Sequence, residues 1–125
     1  MKELNLILGI IEALIYTGGK LNFAILPFGE YYIQMVAGRG DYEIYCEAIS
    51  NNSLDSEDYL NESQMRLLKK LNWNEPQNSE GNYYLTHSVD SEKGREDLSH
   101  LILVTSKIVY GSNEIMEENV IFERE

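Results

Sequence analysis

A cysteine hydrolase needs a thiol, a histidine to take its proton and a third group to orient the imidazole. The chain holds one cysteine, Cys46, and two histidines, His87 and His100. His87, on a neighbouring strand, is the residue that would have to approach Cys46. However, Cys46 lies between Glu43 and Glu47 with no cation nearby in sequence, and apolar burial raises a thiol's pKa instead of activating it. Cys46 is therefore expected to fill core space. His87 shares the apolar alternation of its strand and is expected to be half-buried, and His100, beside Leu101, to lie on a helix surface. The remaining carboxylates lack the ligand spacing of a metal site. Glu43 and Glu47 share a strand face, whereas the acid/base carboxylates of glycosidases come from separate elements around a cleft. That pair reads as a solvated face, with Glu47 accepting hydrogen bonds that fix the loop at Ser50-Asn51. Arg39-Gly40-Asp41 reads as hairpin-turn chemistry, with Gly38 and Gly40 supplying positive φ. Phosphate loops, dinucleotide fingerprints and nucleophile elbows are absent from the sequence, so neither catalysis nor a cofactor is expected.

The elements that must position these residues follow from pattern and composition. At 125 residues the chain is one domain long and can bury about two-thirds of its unfolded surface without a metal or disulfide. It is 43% hydrophobic with nine tyrosines, a composition that folds. Residues 3 to 17 place Leu4, Ile7, Leu8, Ile11, Leu14 and Ile15 on one stripe of a helix ending at Gly18-Gly19. Leu6 and Ile10 lie off that stripe, an apolar excess that asks for burial on more than one side, deep in the core or, as the favoured expectation for a small domain, against a second chain such as a homodimer. Strand-like runs follow at Asn22 to Phe28, Tyr31 to Ala37 and Tyr42 to Ser50, joined by turns short enough to demand an antiparallel meander. In the third run Tyr42, Ile44, Cys46 and Ala48 should face the core. Asn61, with Gln64 three residues on, starts a second helix through Met65, Leu68 and Leu71, and Pro76 forbids its continuation. Asn82 to Val89 reads as a fourth strand. A last helix runs from Ser91 through Leu98, Leu101, Ile102, Thr105, Ile108 and Val109 to Gly111. The expected fold is thus α+β, in the order α-β-β-β-α-β-α, with an antiparallel sheet of four to five strands flanked by helices. Residues 1–111 form the domain, and 112–125 an acidic tail that docks or adds a strand.

Glu47-Ala48-Ile49-Ser50-Asn51, an irregular loop, the helix from Leu60 to Leu71, Asn72-Trp73 with Pro76, and Asn82-Tyr83-Tyr84 occur in that order. This set resembles the type III secretion chaperone-like domains, also called TY-chaperone domains, over roughly Tyr31 to Gly111. Asn72 stands where that family usually has glycine, and Tyr83 and Tyr84 where it usually has tryptophan or phenylalanine. Asn tolerates positive φ best among non-glycine residues, so a helix cap at Asn72 is compatible with the change. The resemblance implies a bacterial protein with an antiparallel sheet braced by helices, a protein-binding role and no shared active site. Glu47, Ser50, Asn51, Trp73, Pro76 and Asn82 are its structural motif residues.

Ten basic against 21 acidic residues leave a net charge of -11, which repels nucleic acid and anionic membranes and favours cationic protein surfaces. One cysteine forms no internal disulfide, and Glu3 and Glu12 interrupt the first apolar run, so neither a signal peptide nor a span is expected and the reducing cytoplasm is the expected compartment. Tyr32, Tyr45 and Tyr84 fall on the less buried sheet face beside Gln34, a composition that protein interfaces enrich. Together with Leu6 and Ile10 they are the expected partner-binding residues; the plainer alternative is cross-strand stabilisation. The expected function is a chaperone-like adaptor that holds a partner polypeptide. The alternative is an immunity or conflict-system inhibitor that neutralises a basic partner through its acidic surface.

Overall fold

A computed structural model describes residues 2–124. The elements are α1 (Lys2–Tyr16), β1 (Asn22–Phe28), β2 (Tyr31–Ala37), β3 (Glu43–Ala48), α2 (Glu62–Lys70), β4 (Tyr83–Ser88), α3 (Glu92–Ile108) and β5 (Ile121–Glu123). Five antiparallel strands form one sheet in the order β4-β3-β2-β1-β5, so the expected α+β meander is present and the tail supplies the fifth strand. No helix among the described residues is long and apolar enough to cross a membrane.

Each strand alternates as a half-covered sheet must. Ala24, Leu26, Ile33, Met35, Ile44, Cys46, Ala48 and Leu85 point toward α1 and α3 and are buried in one core with Ile7, Ile11, Leu14, Leu98 and Ile102. The hairpin between β1 and β2 needs only Gly29-Glu30, because Phe28 pairs with Tyr31 and Gly29 adopts φ 67°.

Helix ends follow local side-chain chemistry. Asn61 Oδ1 accepts from the Gln64 N–H at 2.9 Å while Gln64 Oε1 accepts from the Asn61 N–H at 2.8 Å, closing the capping box read from sequence. At the other end of α2, Asn72 takes φ 72°, its N–H donates to Lys69 O and the Trp73 N–H donates to Leu68 O, both at 3.0 Å. That is a Schellman cap with asparagine in the glycine position. Ser91 caps α3 by accepting from the Gly94 N–H.

Four expectations are corrected. Ile10 is 7% exposed, a core residue, because α3 lies alongside α1 on the sheet and covers its second apolar side within the chain. Tyr42 is 75% exposed: the ladder to β4 begins at Glu43 opposite Ser88, and Tyr42 contributes only a carbonyl, which accepts from the Val89 N–H at 2.8 Å. Ile108 lies half out of the core at the end of α3, and Tyr110, two residues on, is buried instead. At the β2–β3 turn Gly40 has φ 88° but Gly38 does not have positive φ. Glycine is needed at Gly38 because a Cβ there would run into the Lys20 carbonyl.

Candidate functional site

With the helices on one side, the other side of the sheet carries two rows across all five strands. The pairing register sets Ile121, Ile25, Gln34, Glu47 and Tyr84 in one row and Glu123, Phe23, Val36, Tyr45 and Thr86 in the next. Phe23, Ile25, Gln34, Val36 and Tyr84 are half-buried, and Tyr45 is 40% exposed. The Tyr45 and Tyr84 rings stack with centroids 6.4 Å apart and planes 26° from parallel. Burial and the neighbouring Glu47 carboxylate raise the Tyr45 hydroxyl above its ordinary value, so it remains a protonated hydrogen-bond donor. The structure therefore brings Tyr32, Gln34, Tyr45 and Tyr84 together on one face. Leu6 is elsewhere, half-buried on α1, and Ile10 is in the core.

The motif residues underlie this face. Asn82 Oδ1 accepts from the Ser50 N–H at 3.0 Å, and Asn82 Nδ2 donates at 3.3 Å to both the Tyr32 hydroxyl and Glu47 Oε1. Ser50 Oγ donates to Gly81 O and accepts from the Asn52 N–H, while Asn51 exchanges two bonds with the backbone of Leu60. One polar cluster thus ties the ends of β2, β3 and β4 to the loop before α2. Among the described residues, Glu47 reaches the Ser50-Asn51 loop only through Asn82, which binds both. Trp73 is 3% exposed and donates from Nε1 to Thr105 Oγ1 at 3.0 Å, anchoring the connection to α3. Pro76 is half-buried just beyond Asn74, which bridges the outer edge of β4 at Tyr84.

The residues with potential chemistry lie on the helix-facing side of the sheet and on α3. Cys46 pairs with Met35 and Leu85 at 0% exposure, and burial pushes its thiol far above the ordinary range. His87 is half-buried opposite Ile44, two pairs along the ladder, and His100 is exposed on α3. A feature not read from the sequence is the set Asp55, Glu57 and Asp58, whose carboxylate oxygens lie within 4.8 Å of one another on an exposed turn. Their close spacing is visible in the chain, but their convergence depends on the 3-10 turn at Ser56–Asp58.

A second feature is a groove of about 760 Å³ between α1 and the tail, lined by Leu6, Gly9 and Ala13 on one side and Met116, Val120 and Phe122 on the other. The tail is held there by Glu3. Its Oε2 accepts from the Ile115 N–H at 2.9 Å and lies 3.0 Å from Lys107 Nζ, which also donates to Asn113 O at 2.6 Å. Burial alone would raise the Glu3 carboxyl, but these donors more than offset it and hold it below its ordinary value. The sequence signal for this groove was a glycine in the interior of a helix.

No protein-family model, curated protein or solved structure matches the chain.

Proposed function

We propose that the chain is a non-catalytic, chaperone-like adaptor of the reducing cytoplasm that holds an extended segment of a partner polypeptide against the open face of its sheet. The observation that carries this reading is a stacked Tyr45–Tyr84 pair beside Tyr32 and Gln34 on a five-stranded face whose helices all lie behind it. Tyrosines offer a large contact area with few rotatable bonds and a hydroxyl for backbone groups of the bound segment. The Asn82 cluster fixes the strand ends beneath them, so little ordering is left for the moment of binding. The ordered resemblance to type III secretion chaperone-like domains and the charge of -11, which disfavours nucleic acid and anionic membrane, support the same reading.

The test is selection from a display library of random extended peptides, comparing the wild-type chain with a Tyr45→Ser/Tyr84→Ser variant of unchanged circular dichroism. The expected outcome is a set of apolar-rich peptides whose affinity drops about tenfold or more in the variant and changes little between low and high salt. Equal binding by the variant, or no selected peptide, overturns the reading. The inhibitor alternative is favoured by the same net charge; selected ligands that are basic and lose affinity steeply with salt at this face would establish it instead.

A further inference from the structure

We propose that the groove between α1 and the tail is a second polypeptide site, built for a segment that carries large apolar side chains flanked by lysine or arginine. The inference rests on the reading of the chain as a polypeptide-binding module and adds a separate site with a stated ligand chemistry.

Gly9 is the first observation. It sits in the middle of α1, is exposed, does not adopt positive φ, and a Cβ built on it meets nothing within 4 Å. Neither conformation nor packing asks for glycine there, while glycine in a helix interior is unfavourable against alanine. What its missing side chain does provide is a bare stretch of helix backbone facing the groove, with Leu6 beside it. Close approach of a ligand to a backbone is a standard reason for an otherwise unfavourable glycine.

The facing wall is the second. Met116 is 39% exposed, and Val120 and Phe122 are half-buried beside it, an unbranched thioether next to two rigid apolar groups. Methionine adapts to irregular apolar ligands. A volume of about 760 Å³ lies within the range of sites that bury a ligand's side chains.

Charge selects the occupant. Glu114, Glu117 and Glu118 line the groove together with the cations Lys2 and Arg124; none of the three forms a salt bridge among the described residues, in contrast to Glu3, which Lys107 satisfies, so carboxylates remain in excess. Arg124 already holds its guanidinium 5.3 Å from the Phe122 ring centroid, which shows the cation geometry this wall accepts. A second copy of this chain would bring another acidic rim against the first, whereas a basic segment neutralises the carboxylates that Lys2 and Arg124 leave in excess.

The experiment is fluorescence anisotropy with three labelled peptides of one length: basic with leucine and phenylalanine, the same apolar pattern with glutamate for lysine, and basic with serine for the apolar positions. The expected result is binding of the first at least tenfold tighter than of either other peptide. Gly9→Phe, which fills the groove, and a Glu114→Gln/Glu117→Gln/Glu118→Gln variant, confined to exposed side chains, should each weaken it about tenfold. The glutamine variant should also flatten its salt dependence. Gly9→Ala, which covers the bare backbone with a Cβ, should weaken it measurably but less than Gly9→Phe does. The Tyr45→Ser/Tyr84→Ser variant should bind it normally, so that loss of the sheet-face site and loss of this one are read separately. The proposal is overturned if the acidic peptide binds as well, if both groove variants bind as wild type does, if no peptide binds, or if sedimentation reveals a dimer that Gly9→Phe dissociates.

Discussion

Cys46 lies between Met35 and Leu85 with no exposed surface, so ionising its thiol would place a charge in a hydrocarbon setting. Its folded-state pKa is raised above the unfolded value of about 8.5. The stability this gives is complete below that value and is lost as pH rises, because only the unfolded chain then releases the proton. The unfolding free energy from urea titrations should thus be flat up to about pH 8.5 and fall above it with a slope approaching 1.4 kcal/mol per pH unit. Tyr45, Tyr83 and Tyr110 are raised as well, but tyrosines add their own slope only above about pH 10, leaving the window between to the thiol. Cys46→Ala should lower the overall stability and abolish the slope in that window. A slope that persists in the variant would assign the effect elsewhere. His87 stands opposite Ile44, diagonal to Cys46 on the same face, and the same burial keeps the thiol protonated instead of activating it.

At the scale of elements, α2 depends most on its ends. It has nine residues and buries only Leu68, too little apolar contact to hold a short helix by packing alone. The capping box, the Schellman cap at Asn72, and a bond from Gln64 Nε2 to Val109 O at 2.7 Å supply the rest. Asn61→Ala should therefore cost about 1 kcal/mol, with faster amide hydrogen exchange concentrated in the first turn of α2, and Asn61→Ser should recover most of the loss. A uniform increase across the sheet would mean that α2 contributes to global stability and not chiefly to its own. β5 offers a contrast: it is three residues long, and its docking is secured by Ile115 in the core and by the Glu3–Lys107 pair, not by strand length.

Across the whole molecule the dominant long-range term is the excess of 11 negative charges. The ion pairs Lys69–Glu75 and Lys93–Asp97 are solvent-exposed and contribute little, so self-repulsion outweighs surface pairing. Raising sodium chloride from low to physiological strength should accordingly stabilise the fold, on the order of 1 kcal/mol or about 4 °C in melting temperature. Scanning calorimetry at several salt concentrations measures this directly. A melting temperature that falls with salt would show that attractive pairs, the half-buried Glu3–Lys107 contact foremost, govern the balance.

Local chemistry made most of the fold legible. Periodicity placed the helices and strands, the Asn61 and Ser91 caps and the Asn72 stop act within one turn of chain, and alternation put Tyr45, Glu47 and Tyr84 on one face because successive strand residues must point oppositely. What required the tertiary structure was anything that depends on a second element. Ile10 is buried because α3 lies beside α1, Trp73 finds Thr105 32 residues away, and Asn82 joins Tyr32 to Glu47 across three strands. The groove beside Gly9 exists only because the tail folds back 112 residues to Glu3. Contacts at such separations depend on where whole elements pack, and no spacing rule within a helix or strand encodes that.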